Sequence, residues 1–168
     1  MNNLLKTLGI TALFVALIPK KIAKNEVKSF LGNKNLPRGI RNNNPGNLII
    51  SNIDWCGKIP ASKNTDGHFE QFENFPYGIR AMMMDIKHDI NAGKNTLQKL
   101  ITAYAPPSEN DTEAYIKFME SKTGWNRLQP LIPTNENLGT IAKAIAIQEN
   151  GIDVITPSDL SQAIALMA

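Results

Sequence analysis

Apolar residues recur at helical spacing through most of the chain after residue 75. Leu138, Ile141, Ala142, Ile145 and Ala146 fall at i, i+3, i+4, i+7 and i+8, which predicts one buried stripe of an amphipathic helix. Gly151 follows as its stop. Ile79, Met82, Met83, Ile86 and Ile90 define a second such helix, opened by Pro76-Tyr77-Gly78 and ended near Gly93. Leu97, Leu100, Ile101 and Tyr104 predict a shorter one, cut off by Pro106-Pro107. Asn110-Asp111-Thr112 offers an N-cap to another, with Tyr115, Phe118 and Met119 inward and Gly124 at its end. Thr156-Pro157-Ser158-Asp159 has the form of a capping box ahead of Leu160, Ala163, Ile164 and Met167.

Upstream the period changes. Arg38 to Leu48 is dense in turn formers, with Asn-Pro-Gly-Asn at 44–47. Leu48-Ile49-Ile50 is a short apolar run, and Phe69, Phe72 and Phe75 stand three apart. A small irregular β-hairpin with Ser62–Gly67 as its loop is expected. The predicted fold class is α+β, mainly α: a lysozyme-like domain in which a small β-hairpin region precedes four to five short helices, with an N-terminal apolar helix ahead of it.

That N-terminal stretch decides the domain plan. Residues 1–18 are apolar apart from Lys6 and a few polar positions, and Pro19-Lys20-Lys21 follows. The proline and lysines make a poor signal-peptidase site. Leu4 to Ile18 as a helix reaches roughly 22 Å against a hydrocarbon core of about 30 Å, a gap that snorkelling lysines could close. The expectation is a membrane anchor at 1–18, ahead of an apolar helix packed on the body, then a basic linker at 19–35 and a catalytic domain at 36–168.

Charge supports that division. Residues 1–41 hold eight Lys/Arg and one acid, net +7; residues 42–168 hold ten and fourteen, net −4. Basic charge confined to an arm suits an anionic lipid surface and argues against nucleic acid as a partner. The single cysteine, Cys56, excludes an internal disulfide, and His68 and His88 lack a second ligand at metal spacing. Neither a metal nor another cofactor is expected. No phosphate-binding glycine loop and no Ser/His/Asp arrangement is present.

The candidate chemistry sits at Glu149, the next member of the 138–146 stripe. A carboxyl continuing an apolar face at a helix C-terminus is expected to favour its protonated form, as a general acid for glycan cleavage requires. The plain alternative is a glutamate escaping to solvent at a frayed end.

Several strings together carry a resemblance. Arg38-Gly39-Ile40-Arg41-Asn42-Asn43-Asn44-Pro45-Gly46-Asn47, Trp55-x-Gly57, Asp66-x-x-Phe69-x-x-Phe72, Tyr77-Gly78-Ile79-Arg80-Ala81, Ala105-Pro106-Pro107-x-Glu109-Asn110-x-Thr112-x-x-Tyr115 and Glu149-Asn150-Gly151 resemble a family of bacteriophage virion proteins regarded as peptidoglycan-degrading and lysozyme-like. The likeness runs from about Arg38 to the C-terminus. Tyr104 stands where that family usually has Trp, and Gln148 where it often has His. Ala144-Ile145-Ala146-Ile147-Gln148-Glu149 also resembles the catalytic-glutamate context of soluble lytic transglycosylases, with the β-region before the glutamate instead of after it. A permuted order of motifs follows from that.

The resemblance implies cleavage of the β-1,4 bond between N-acetylmuramic acid and N-acetylglucosamine, with Glu149 as catalytic acid. It implies glycan contacts from Arg41, Asn44, Asn47, Tyr104, Asn110 and Tyr115. Partners would be peptidoglycan glycan strands, a membrane through residues 1–18, and other virion proteins. The location would be a membrane-associated position in the virion, acting at the bacterial cell wall. Asp66, Glu70 and Glu73 lie where a lysozyme's second carboxylate would be sought, yet none is marked out as obligatory. That favours a lytic transglycosylase over a muramidase. The alternative is a non-enzymatic, membrane-anchored virion structural protein on the same fold.

Overall fold

The computed structural model describes residues 27–167 and is mainly helical. The apolar segment 1–18 and linker residues 19–26 lie outside the described residues. Among those described, no helix is long and apolar enough to cross a membrane.

One helical turn, α1 (Arg38–Arg41), is followed by an irregular region and five longer helices: α2 (Phe75–Asn91), α3 (Leu97–Tyr104), α4 (Thr112–Thr123), α5 (Asn135–Asn150) and α6 (Pro157–Ala165). The apolar stripes select the packing. Ile79, Met82, Met83, Ile86 and Ile90 of α2 and Leu138, Ile141, Ala142, Ile145 and Ala146 of α5 are all buried. They meet in one core, with α2 against α5 and α6, α5 against α4 and α1, and α3 against α4 and α2. On α4 the inward positions are Tyr115, Ile116 and Met119, while Phe118 is only partly buried.

The helix ends follow local chemistry. Asn74, Thr96, Asp111, Thr134 and Thr156 each accept a backbone N–H at the start of their helix. Thr156 and Asp159 form a full capping box. Buried Asp159 also accepts from Lys28 Nζ at 2.7 Å, and that ammonium donates to Val154 O. Phe30 packs edge-on against Phe75 at 5.0 Å. The part of the 19–35 linker that the structure describes therefore lies against the folded body. Asp159→Ala removes the side-chain half of the capping box and the ion pair together, while Thr156 remains as N-cap. A loss of about 2 kcal/mol is expected, read as a fall of roughly 4–8 °C in the thermal midpoint.

The β-hairpin expected from the sequence is not a ladder. Two isolated antiparallel bridges, Ile49 with Phe69 and Lys58 with Phe72, are the only pairing among the described residues. Each bridge keeps its backbone pair, Ile50 N to His68 O with Glu70 N to Leu48 O, and Ile59 N to Gln71 O with Glu73 N to Gly57 O, and asparagine amides bond carbonyls around them. Asn44 Nδ2 donates to Leu48 O and Glu70 O, Asn43 Nδ2 to Phe72 O, and Asn64 Nδ2 to Phe69 O. The Asn44–Glu70 and Asn43–Phe72 bonds span 26 and 29 residues and tie the 42–47 turn to the second segment. A single 3-10 turn, Ala61–Lys63, occupies part of the expected loop.

Candidate active site

Helix α5 ends in Glu149, Asn150 and Gly151, and each does a separate job. Gly151 takes φ 69° and closes the helix. Asn150 is buried and points back along α5. Its Nδ2 donates to Ala146 O and, at 2.8 Å, to Pro45 O, fastening the 42–47 turn to the helix end. Half-buried Glu149 faces the tip of that turn. Its Oε2 accepts from Asn47 Nδ2 at 2.9 Å and its Oε1 from the Tyr115 hydroxyl at 3.0 Å. The carboxylate is therefore held by two donors from two other elements, not set in a purely apolar socket.

The turn is rigid because its asparagines are internal. Asn42, Asn43 and Asn44 are 2%, 0% and 0% exposed. Asn42 bridges Asp66 and Gln71, Asn43 binds Phe30 N and Phe72 O, and Asn44 binds Leu48 and Glu70 O. Asn43 and Asn47 adopt φ 53° and 52°, the left-handed region that asparagine tolerates better than most residues. Of the sequence candidates in this turn, Asn47 reaches the cleft while Asn44 is scaffold. Arg41 is elsewhere: it lines a separate depression with Lys34, Arg38 and Asp66 and donates to Leu36 O.

The cleft beside Glu149 has a volume of about 470 Å³. One wall is the turn, Gly46 to Ile49; another comes from Ile53, Trp55, His68 and Phe69; Tyr104, Ala105, Glu109 and Asn110 close the far side, with Asp85 of α2 facing in. Ile49 and Ile53 stay 62% and 50% exposed at its mouth, giving it an apolar edge. A groove of similar size between α4, α5 and α6 has only exposed or paired charges, such as Lys143 with Asp153. It lacks the convergent buried polar groups of the cleft.

Tyr104 and Tyr115 differ in what they do. The Tyr104 hydroxyl donates to Gly46 O in a short contact, so its phenol braces the turn, although its ring lines the cleft. Burial raises its pKa well above the usual phenol value, and the nearby Glu149 and Asp85 charges add to that. Tyr115 is raised by burial first and by Glu149 next. Both hydroxyls thus keep their protons through the working pH range, and Tyr115 remains a donor to Glu149. Asn110 lies on the cleft rim.

The three acids of the irregular region are accounted for otherwise. Asp66 accepts both arms of Arg38 at 2.8 and 2.7 Å, and this pairing holds its carboxyl far below the usual range. Glu70 is fully buried against Lys58 Nζ at 2.8 Å and Ser51 N. Glu73 is exposed. None lines the cleft. Besides Glu149 and the exposed rim residue Glu109, the acid that does is Asp85. Its sequence signal was faint: it lies three residues after Met82 and seven after Gly78, the α2 residues that touch the turn. No group of three His, Cys, Asp or Glu stands at metal-binding spacing among the described residues.

Gly39 lets the assembly close. A Cβ there would lie 2.5 Å from both Asn47 Oδ1 and Asn150 Oδ1 and 2.9 Å from Asn44 O. Those two amide oxygens have no hydrogen-bond partner among the described residues. Gly39→Ala should push Asn47 off Glu149. Any reaction that uses the Glu149 carboxyl should fall by roughly tenfold to a hundredfold, in keeping with loss of a donor to a reacting group. Circular dichroism checks that the helices persist.

No protein-family model matches the sequence. The chain is similar to Protein P5 of Pseudoalteromonas phage PM2, with 32% identity over 155 residues that span 90% of this chain and 88% of that protein. At that identity and coverage, this chain belongs to the family of that bacteriophage protein.

Proposed function

We propose that this phage protein cleaves peptidoglycan glycan strands at the β-1,4 bond between N-acetylmuramic acid and N-acetylglucosamine, with Glu149 as the acid. One observation carries the reading: a half-buried carboxylate at a helix terminus, gripped by Asn47 and Tyr115, on the wall of a sugar-sized cleft with an apolar edge. When Glu149 gives its proton to the leaving oxygen, these two donors stabilise the carboxylate left behind. That help is greatest as charge develops, which is when it lowers a barrier. Trp55, Phe69 and the Tyr104 ring offer surfaces for sugar faces, and Asn110 offers an amide for N-acetyl groups. The helical body with an irregular lobe beside the cleft suits a lysozyme-like arrangement. On this reading the protein is carried in the virion, its residues 1–18 tether it to lipid, and it acts at the host cell wall.

Purified full-length chain incubated with peptidoglycan, with muropeptides read by mass spectrometry, tests the proposal. Release by the wild type and not by Glu149→Gln supports it. An inert wild type favours a structural virion protein, a reading to which the burial of Asn42, Asn43 and Asn44 as scaffold also lends itself.

A further inference from the structure

Resting on that reading of Glu149, the position of Asp85 adds a second reacting group. We propose that Asp85 is the catalytic base of the cleft, taking a proton from the water that attacks the sugar C1, so that the reaction is hydrolysis. Asp85 and Glu149 stand on different helices, α2 and α5, and line the same cleft. The α2 row that carries Asp85 is the one that braces the turn. Gly78 lies against Asn43, Met82 against Gly46, and Asp85 comes one helical turn further along, where the row passes into the cleft. A base on such a helix is fixed by packing, as in-line attack requires.

The other acids are excluded by their surroundings. Asp66 and Glu70 are paired and outside the cleft, and Glu109 is an exposed rim residue. Asp85 is half-buried, and among the described residues it has neither a hydrogen-bond donor nor a salt-bridge partner. Its neighbour Asp89 is held by Lys94 at 2.7 Å. Desolvation raises the Asp85 pKa, with Asp89 adding to it and His88 and Lys94 opposing, which strengthens the carboxylate as a base once ionised.

The step balances. The Glu149 proton passes to the glycosidic oxygen as the C1–O bond breaks. The water oxygen bonds to C1 and its proton passes to Asp85. The products are a reducing-end sugar with a new C1 hydroxyl and a departing sugar with a free hydroxyl. Solvent then returns the proton from Asp85 to Glu149.

The test uses the full chain in heavy-oxygen water. Wild type should give reducing ends carrying the heavy oxygen. Asp85→Asn should lower release by about a hundredfold or more with an unchanged thermal midpoint, and formate should restore part of the activity of Asp85→Ala by acting as a substitute carboxylate. Wild-type products ending in an internal anhydro ring, or Asp85→Asn activity within about threefold of wild type, overturn the role of Asp85 and leave Glu149 standing. A wild type that releases nothing overturns the glycan-cleavage reading, and the base with it.

Discussion

Glu149→Gln is expected to lower muropeptide release by about a hundredfold to ten-thousandfold, the usual contribution of a positioned acid. The substitution is close to isosteric, and its hydrogen bonds can survive. The amide oxygen can still accept from Asn47 Nδ2. The amide NH₂ can face Tyr115, whose hydroxyl turns to accept in place of donating. Fold and glycan binding should therefore be kept, while the transferable proton is lost. The measurement is initial release rate beside a thermal melt of the same preparation. A melt within a degree or two of wild type with activity gone assigns the loss to chemistry. Activity close to wild type moves the acid to another group.

Gly78→Ala is expected to cost about 3 kcal/mol or more, seen as a fall of roughly 6–12 °C in the thermal midpoint. A Cβ at Gly78 would run into the backbone carbonyl of Asn43, with the Phe72 ring also close. That carbonyl cannot swing away, because Asn43 is tied through its N–H to Ile40 O and through its side chain to Phe30, Phe72 and Ser29. The strain therefore passes into the turn that presents Asn47 to Glu149, and cleavage should fall with stability. Gly139→Ala on α5 is the matched control. Its new Cβ would meet Leu160 methyls at 3.5 and 3.7 Å, ordinary contact, and alanine is the better helix former by about 1 kcal/mol. Stability equal to or above wild type is expected there.

The helices were legible because their signals are local. The α2 and α5 stripes, the Thr156–Asp159 box and the Gly151 stop depend on residues within two turns of one another, and each formed where its pattern stood. The extent of the hairpin was not, because the pairing of 48–50 with 68–70 ends after one bridge, where Ser51 N donates to the buried Glu70 carboxylate. Periodicity contains no account of that side-chain partner. Asp85 was also hidden. In sequence it shares its stretch with Lys87, His88 and Asp89 and reads as one more charge on a wet helix face. Only the arrival of the 42–47 turn against Gly78 and Met82 brings a wall opposite it.

By itself, then, the sequence determined the helices, their caps, the glycine stops and the carboxyl at the end of α5, since each is set by spacing along one segment. Tertiary structure alone decided that Asn47, Tyr115 and Asn150 converge on that helix end, that Asn44 and Arg41 serve elsewhere, and that Asp85 faces the cleft. Those relations join residues as much as 105 positions apart, and they exist only after a shared core has fixed how the helices cross.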